Sequence, residues 1–378
     1  MMTEAISRRI YLDYNASTPI DPAVAAGMRS LLEGAYGNPS SDHWAGKPAK
    51  EALERAREQV AALLGCAADE IVFTSGGSEA NNLALKGLHF RRGDRRSHIV
   101  TSRIEHPAIL APCRFLERLG ATVTYVPVGA SGLVDPEDIR KSISGDTLLI
   151  SIMHANNEVG TIQPLAEIAT IARAYGIPLH TDAAQSVGKI PTSVDELGVD
   201  LLSVAGHKLY APKGIGALYV RREIGLEPLI HGAGHEGGRR AGTESALLAA
   251  ALGKACDIAR DLTGMSAVRG LRDLFWHRLR IAFGGRVTLN GHPERRLPNT
   301  LNVSFVGLMG TDVLARIPEV AASTGSACHS GETRLSPVLE AMGVTPEVGM
   351  GAIRFSLGRG TTQEEIETVV DRLRRVVG

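Results

Sequence analysis

Between residues 70 and 222, short runs rich in valine, isoleucine and leucine alternate with helix-like segments. The stretch "EIVFTSGGSEANNLALKGL" predicts a strand, a glycine turn and a helix. Further strand candidates, each separated by helical patterns or turns, are "SHIVTS", "TVTYVPV", "DTLLISIMH", "IPLHTDAAQ", "DLLSVAGHK" and "GIGALYVRR". Apolar runs that alternate with helices are typical of a largely parallel sheet covered on both faces. The pattern therefore predicts an α/β fold.

The pattern changes beyond residue 243. Two long helical segments, "ESALLAAALGKACDIARDL" and "SAVRGLRDLFWHRLRIAF", are followed by the strand-like "TLNVSF" and "AIRFSL" and by a final helix. A chain of 378 residues also exceeds what one hydrophobic core usually covers. We therefore expect a large domain over residues 15–260 and a smaller α+β domain formed by residues 1–14 and 261–378.

The charge balance restricts the class of partner. The chain has 41 basic and 41 acidic residues, so no broad field favours nucleic acid or an anionic membrane. No apolar run has the length of a membrane-spanning helix, and no secretory signal is evident at the start. The four cysteines form no disulfide pattern, which suits a reducing compartment. We expect a cytoplasmic protein that binds a small molecule or another protein, without direct contact to nucleic acid or membrane.

A Gly-Gly turn lies between the first strand and its helix, in "FTSGGSEANN". Amide N–H groups at such a helix start are unpaired and favour an anion such as phosphate. Ser78 either binds this anion or only caps the helix. The turn alone does not decide between the two.

Two further residues narrow the choice. Lys208 follows a strand and precedes a Pro-Lys-Gly turn, and a lysine held unprotonated in a closed site forms Schiff bases with aldehydes. Asp182 ends an apolar strand, where its carboxylate is a suitable partner for a pyridinium nitrogen or a cap for the next helix. The sequence therefore predicts a pyridoxal 5'-phosphate site, because an anion-binding turn, Asp182 and Lys208 follow one another in this order on an α/β scaffold.

Motifs along nearly the whole chain resemble those of cysteine desulfurases, which are class V aminotransferase-like enzymes of PLP fold type I. The resemblance rests on "YLDYNASTP", "GNPSS", "FTSGGSEANN", "EHPA", "MHANNEVGTIQP", "HTDAAQSVGK", "SVAGHKLYAPKGIGALYV", "RRAGTES", "STGSACHS" and "IRFSLGRGTTQEEI". It implies a large domain with a mainly parallel seven-stranded sheet and a smaller α+β domain. The stretch "ACHSGETRLSPVLEAMGV" also resembles selenocysteine lyases.

The resemblance implies a role for each matching residue. Lys208 would carry the cofactor and later move the substrate α-proton, while His106 would stack on the cofactor ring. Asp182 and Gln185 would bind the ring nitrogen and the ring oxygen. The implied ligands of the cofactor phosphate are Gly77, Ser78, Ser203 and His207.

Other matches concern the substrate and the subunit arrangement. The substrate carboxylate would be bound by Asn156 and Arg354, and the guanidinium of an arginine is well suited to a carboxylate. The resemblance also implies that Asn156 is a cofactor ligand. Asn38 would either line the substrate entrance or cap a turn. Thr243 would touch the cofactor of a partner subunit, which implies a homodimer with shared sites.

Cys328 lies among small residues, in "STGSACHSGETR", with neither a second cysteine nor a metal-ligand cluster beside it. The resemblance implies that it takes sulfur from L-cysteine as a persulfide, releasing L-alanine, and passes the sulfur to an acceptor protein by exchange at sulfur. His329 replaces the usual threonine and His235 the usual glutamine of the family. Cys66, Cys113 and Cys256 lie in apolar helical patterns and are expected to pack in the core.

Several alternatives remain open at this point. A selenocysteine lyase would use the same cofactor and fold on L-selenocysteine. An aminotransferase of this fold would have no use for "GSACHS", and a non-catalytic scaffold subunit would have no use for the intact site residues. The acceptor stays undetermined among iron–sulfur cluster assembly, tRNA thiolation, DNA phosphorothioation and selenium metabolism.

Overall fold

The computed structural model describes residues 9–93, 97–329 and 332–378, and only the backbone of residues 326–329 and 332–333. Its strands are β1 (Ile10–Tyr11), β2 (Ile71–Thr74), β3 (His98–Ser102), β4 (Thr122–Val126), β5 (Thr147–Ser151), β6 (Leu179–Asp182), β7 (Leu201–Ala205), β8 (Gly216–Val220), β9 (Val287–Asn290), β10 (Thr300–Phe305), β11 (Val320–Ala321), β12 (Ser323–Thr324), β13 (Ser326–His329), β14 (Glu332–Leu335) and β15 (Ala352–Ser356). Its helices are α1 (Pro22–Gly34), α2 (Lys47–Leu64), α3 (Gly77–Arg92), α4 (Pro107–Glu117), α5 (Pro136–Ser142), α6 (Leu165–Ala174), α7 (Val194–Leu197), α8 (Ala246–Ala259), α9 (Thr263–Phe283), α10 (Gly310–Ala315), α11 (Pro337–Ala341), α12 (Pro346–Gly349) and α13 (Gln363–Val377).

A seven-stranded sheet forms the centre of the molecule, in the order β2-β8-β7-β6-β5-β3-β4. Strand β8 is antiparallel to both of its neighbours, and the other strands are parallel. Most residues of β2, β3, β5, β6, β7 and β8 are buried, which explains their continuous apolar sequences. The predicted α/β fold with a mainly parallel seven-stranded sheet is confirmed.

Parallel strands place their carboxyl ends at one edge of the sheet, where ligands of α/β proteins bind. Strand β6 ends at Asp182, and β7 leads directly into a 3₁₀ turn that ends at Lys208. The helix α3 begins immediately after the turn that follows β2, at the same edge. The edge therefore collects three of the chemical groups that the sequence singles out.

A second sheet has the order β12-β15-β10-β9 and is antiparallel throughout. Helices α9 and α13 pack against it, and Phe275 and Phe355 meet in its core with ring centroids 4.9 Å apart. Ile10 and Leu12, from the start of the described chain, belong to the same core. The domain limits proposed from the sequence stay a prediction.

The segment from Asp13 to Thr18 runs between the two sheets. Asp13 forms a bridge with Ser356 of β15, and the amide N–H of Thr18 donates to the carbonyl oxygen of His207, 2.9 Å away. This segment therefore connects the second sheet with the strand-end turn of Lys208. None of the helices in the described part of the chain is long and apolar enough to cross a membrane.

Candidate active site

A cavity of about 590 Å³ opens at the carboxyl edge of the central sheet. Its walls come from the start of α3, the ends of β6 and β7, the turn after β5 and the strand β15 of the second sheet. Its lining includes these residues predicted from the sequence: Gly77, Ser78, His106, Asp182, Gln185, His207, Lys208 and Arg354. Residues more than 270 positions apart thus share one cavity.

Lys208 contributes a partly buried amine. Its Nζ donates to the carbonyl oxygens of Asn15 and Ala16 at 2.6 and 2.7 Å. Burial, helped by the positive charge of Arg354, lowers the pKa of Lys208 to about 8. Because a neutral amine is the reactive form, this environment prepares Lys208 for Schiff-base chemistry near neutral pH.

Asp182 presents a buried carboxylate to the same cavity. Its Oδ2 accepts from Asn81 Nδ2 at 2.7 Å, and its Oδ1 accepts from the amide of Ala184 at 3.0 Å. Two neutral donors fix the carboxylate without neutralising its charge. A cationic ring nitrogen is a suitable further partner for it.

Gln185 is held from behind by a buried lysine. Lys189 Nζ donates to the main-chain oxygen of Gln185 at 2.8 Å and to its Oε1 at 3.3 Å. Gln185 Nε2 donates to the carbonyl oxygen of Asn15 at 3.0 Å. The orientation of this amide in the cavity wall is therefore fixed by contacts on both of its ends.

The start of α3 supplies an anion-binding end of the cavity. Amide N–H groups in the first turn of a helix have no intrahelical acceptor and attract anions. Lys213 and His207 stand nearby in the cavity wall, while Glu79 is paired with Arg240 at 2.9 Å. Burial, with the charges of Lys208, Lys213 and Lys189, lowers the pKa of His207 to about 4. The neighbouring lysines thus make this end of the cavity positive.

His106 lies at the start of α4 and lines the cavity. It is the N-cap of α4, where its Nδ1 accepts from the amide of Ala108 at 3.1 Å. Burial lowers its pKa, with Asp182 opposing this effect and Lys208 adding to it. Because Nδ1 is an acceptor in this bond, the proton of the neutral ring is on Nε2. His106 therefore lines the cavity as a neutral imidazole with one nitrogen left for further contacts.

Arg354 lies on β15 and is oriented by three oxygen atoms. Its Nη2 donates to Asp13 Oδ1 at 2.8 Å and to Ser323 Oγ at 2.9 Å, and its Nη1 donates to the carbonyl oxygen of Asn157 at 2.9 Å. Its buried Nε has no partner in the described part of the chain. The guanidinium is therefore held in the cavity wall with donor capacity remaining for a carboxylate.

The structure does not bring every predicted residue to the cavity. Asn156 is fully buried, and its side chain bonds the carbonyl oxygen of Ile104 and the amides of Glu158 and Val159. The next residue, Asn157, lines the cavity instead. A carboxylate-binding role is therefore not supported by the position of Asn156, because its donors and acceptor are used within the protein.

Ser203 is also placed away from the cavity. It is buried inside β7, and its Oγ bonds His180 Nε2 at 3.0 Å. Ala205, at the end of the strand, occupies the corresponding place in the cavity wall. Ser203 lies two residues, or about 6.6 Å, before that end. It therefore lies too far along the strand to line the cavity.

Two other predicted residues lie outside this cavity. Thr243 is exposed in a second depression that Arg240 and Glu244 also line. Asn38 is exposed, and its Oδ1 accepts from the amide of Ser40 at 2.9 Å, so it caps a turn. This hydrogen bond agrees with one of the two roles predicted for Asn38, that of a turn cap.

The side chains of Cys328 and His329 lie outside the described residues. Their backbone belongs to β13, which pairs antiparallel with β14, so that Cys328 is opposite Thr333. His235 lies in a 3₁₀ turn with its Nδ1 buried and without a partner among the described residues. Cys113 and Cys256 are buried as expected, whereas Cys66 is only partly buried.

Sequence reasoning missed Asp13, Asn15, Asn157 and Lys189. The first two lie in "YLDYNASTP" and the others in "MHANNEVGTIQP" and "HTDAAQSVGK", which the family resemblance had already selected. Asn15 is the centre of a network, since its carbonyl oxygen accepts from both Gln185 and Lys208. The motifs were the available signal, but they did not show which of their residues face the cavity.

These groups fit pyridoxal 5'-phosphate. The helix start and neighbouring lysine side chains suit its phosphate, and the buried carboxylate of Asp182 suits its ring nitrogen. The Lys208 amine, with its lowered pKa, suits the aldehyde. Asn81 Oδ1 is buried and has no hydrogen-bond donor among the described residues. The polar wall beside Asp182 therefore has an acceptor available for a bound group.

The fold and this site define the class of protein. Residues 10–369 match the family model for class-V aminotransferases. The chain therefore belongs to the class-V aminotransferase family, whose fold uses pyridoxal phosphate.

More specific relatives narrow the activity. The chain is 46% identical to "Cysteine desulfurase IscS" of Dictyoglomus turgidum, over 98% of this chain and 95% of the relative. A solved structure named "NIFS-LIKE PROTEIN" superposes with a TM-score of 0.91 at 37% identity, covering 97% of this chain and 99% of the other. A structure titled "SspA in complex with cysteine" has a TM-score of 0.84 and 38% identity, with 93% and 100% covered. The chain is a pyridoxal-phosphate-dependent cysteine desulfurase.

Proposed function

We propose that this desulfurase removes sulfur from L-cysteine in the cavity at the sheet edge and transfers it to Cys328. The observation that carries the proposal is the shared cavity of Lys208, Asp182, His106 and Arg354, next to the strand that leads to Cys328. Arg354 of β15 pairs directly with Ser323 of β12, five residues before the cysteine. Arg354 therefore pairs with the strand that directly precedes the hairpin of β13 and β14, which carries Cys328.

The site residues divide the work of binding. Arg354 binds the substrate carboxylate with its remaining donor capacity, and Asn157, in place of Asn156, completes that end of the site. The helix start at Gly77 and Ser78 holds the cofactor phosphate together with His207. Asp182 and Gln185 bind the ring nitrogen and the ring oxygen of the cofactor.

Lys208 and His106 serve the proton transfers. When bound, pyridoxal phosphate supplies an electron sink that makes the substrate α-proton acidic. Lys208 takes that proton as a neutral amine, which its lowered pKa favours. His106, neutral in the folded protein, is the second group of the cavity able to carry a proton.

Sulfur leaves by attack of the Cys328 thiolate on the substrate sulfur. An S–S bond forms, the bond between the substrate sulfur and Cβ breaks, and its electron pair stays on the carbon. The carbon side takes up a proton and ends as L-alanine, while Cys328 carries the persulfide. A thiolate of an acceptor protein then attacks the outer sulfur and removes it.

The experiment compares the wild type with Cys328→Ala and Cys328→Ser on L-cysteine, measuring alanine and protein-bound sulfane sulfur. The proposal expects cysteine turnover to fall at least about 100-fold in both variants, with the absorbance of the bound cofactor unchanged. Sustained turnover of L-cysteine by Cys328→Ala would contradict the role of Cys328. L-Selenocysteine in the same assay tests the lyase alternative, since a protein that turns over only this substrate is not a desulfurase in practice.

The dimer, the acceptor and the location belong to the proposal as well. Thr243 is exposed in the single chain. This exposure supports the proposal, because a residue that contacts the cofactor of a partner subunit has to lie on the surface of its own subunit. Sedimentation of the loaded protein tests this arrangement, since an active monomer would rule out a shared site.

The similarity to a relative named IscS supports an acceptor protein in iron–sulfur cluster assembly, and a cytoplasmic location stays a prediction.

A further inference from the structure

Both ends of the hairpin formed by β13 and β14 are fixed at one point. The amide of Gly325, just before β13, donates to the carbonyl oxygen of Ala352 at 2.9 Å. The amide of Ser336, just after β14, donates to the carbonyl oxygen of Gly325 at 2.8 Å. The base of the hairpin that carries Cys328 is therefore closed on itself and attached to β15.

A side chain from the turn between β5 and α6 also holds this base. Ser336 Oγ donates to Glu158 Oε2 at 2.5 Å, across 178 residues of sequence. The same hydroxyl accepts from the amides of Val338 and Leu339, as the N-cap of α11. Because its acceptor positions face the helix start, its one proton is committed to Glu158.

Glu158 is itself fixed on the turn that lines the substrate cavity. Its amide donates to Asn156 Oδ1 at 2.8 Å, and its carbonyl oxygen accepts from Asn302 Nδ2 at 3.1 Å. Its neighbour Asn157 lines the cavity and accepts from Arg354. The carboxylate therefore links the wall of the substrate site to the base of the cysteine hairpin.

In the described part of the chain, the carboxylate of Glu158 accepts a hydrogen bond from the hydroxyl of Ser336, which is therefore its direct partner. Burial raises the pKa of Glu158, whereas the hydrogen bond from Ser336 and the positive charge of Arg354 lower it. Glu158 is not among the residues that line the cavity, so we expect it to make no direct contact with the cofactor. Its position instead links the turn that lines the cavity to the base of the cysteine hairpin.

We propose that Glu158 is a positioning residue for Cys328: through Ser336, it fixes the hairpin base against the turn that lines the substrate cavity. This inference rests on the proposed function, in which Cys328 receives the sulfur. Loss of the contact slows persulfide formation on Cys328, while cofactor binding and the binding of L-cysteine continue. Glu158 acts on the second half of the reaction only.

The test uses the loaded full-length protein with Glu158→Ala, Glu158→Gln, Ser336→Ala and Ser336→Thr. Single-turnover persulfide formation on Cys328 is followed by differential alkylation and peptide mass spectrometry. We expect about a 10-fold or larger fall for Glu158→Ala and Ser336→Ala, and at least partial rescue by Glu158→Gln and Ser336→Thr, which keep an acceptor and a hydroxyl. The absorbance change on adding L-cysteine should keep the wild-type amplitude.

A second measurement does not depend on activity. Hydrogen exchange of the peptide containing Ser336 should be faster by about 10-fold in Glu158→Ala. The amide of Ser336 closes the hairpin base, and loss of the contact with Glu158 allows this amide to exchange faster. The alkylation rate of Cys328 in the absence of substrate should also change, with Cys66 as the internal reference. Ser193→Ala, which removes the N-cap serine of the remote helix α7, is the matched control and should leave both rates at the wild-type value.

The outcomes separate the two proposals. Wild-type exchange and wild-type persulfide formation in Glu158→Ala would overturn the positioning role. A Glu158→Ala/Ser336→Ala double variant whose losses simply add would overturn it too, since residues that act through one contact do not add. If Cys328→Ala keeps its turnover of L-cysteine, the proposed function fails, whereas the exchange result for Ser336 still reports on the contact itself.

Discussion

Arg354 Nη2 donates to Asp13 Oδ1 over 2.8 Å, and the same carboxylate oxygen accepts from Ser323 Oγ at 2.9 Å. Two residues after Asp13, the carbonyl oxygen of Asn15 accepts from Lys208 Nζ at 2.6 Å. One short segment between the two sheets thus holds the guanidinium of Arg354 and the amine of Lys208. The chemistry assigned to Arg354 and Lys208 depends on where this segment lies.

Asp13→Ala should raise the KM for L-cysteine by about 10-fold or more and change kcat less. The guanidinium of Arg354 loses a charge-assisted hydrogen bond of about 1.5–3 kcal/mol and with it a fixed orientation. Steady-state kinetics with L-cysteine measures the effect. Asp69→Ala, at an exposed pair with Arg222, is the matched control and should leave KM unchanged. An unchanged KM in Asp13→Ala would mean that Arg354 needs no such support.

Asn156 and Asn157 should respond in opposite ways to substitution by alanine. Asn156→Ala leaves the buried amide of Val159 and the partly buried amide of Glu158 without their acceptor. We expect it to lower the free energy of unfolding by about 1–3 kcal/mol. Asn157→Ala should leave stability close to the wild type and raise the KM for L-cysteine. Denaturant unfolding and kinetics of the two variants decide this, and the reverse result would restore the role first predicted for Asn156.

The cofactor-free protein should react with pyridoxal phosphate at a rate that depends on pH. Lys208 has its pKa lowered to about 8, so its neutral, nucleophilic form increases as the pH rises to 8 and is nearly complete above 9. The rate of appearance of the Schiff-base absorbance should therefore rise through pH 8 and then level off. Lys208→Arg should give no such band. A rate that keeps rising to pH 10.5 would show that the amine has its ordinary pKa.

Glu105→Gln should remove a pH dependence of stability. The carboxyl of Glu105 is buried and accepts from Ser102 Oγ and the amide of Met153, and burial raises its pKa from 4.5 to about 8. Between these values the folded protein holds a proton that the unfolded chain releases, so stability falls as the pH rises. The limiting slope is about 1.4 kcal/mol per pH unit.

Denaturant unfolding at pH 5 and pH 8 measures this slope. The glutamine variant stays neutral, so it should gain stability relative to the wild type as the pH rises. Glu51→Gln, on the exposed face of α2, controls for the loss of a surface carboxylate. Parallel pH profiles for the wild type and Glu105→Gln would show that Glu105 is ionised in the folded protein.

The sequence by itself determined the fold class and much of the site. Continuous apolar runs need burial on both faces, which a parallel sheet between helices provides. Because the carboxyl ends of parallel strands meet at one edge, Asp182 and Lys208 had to lie near each other. The motif resemblance added His106, Gln185 and Arg354, which the structure places in the same cavity.

Only the tertiary structure decided which of several polar neighbours faces the cavity. Asn156 and Asn157 are adjacent in sequence, yet one bonds the protein interior and the other lines the cavity. Ser203 and Ala205 differ by one pleat of β7, which is enough to separate the hydroxyl from the site. Local patterns cannot make this distinction, because it depends on which backbone groups of distant segments are available to each side chain.

The support of the site was likewise invisible in the sequence. Asp13 meets Arg354 across 341 residues, and Lys208 meets Asn15 across 193. Such contacts depend on the path of the chain between the two sheets, which no period of apolar residues encodes. The sequence determined the reacting groups through strand ends and motifs, and the tertiary structure determined how each group is held, because hydrogen bonds form only where folding brings donor and acceptor together.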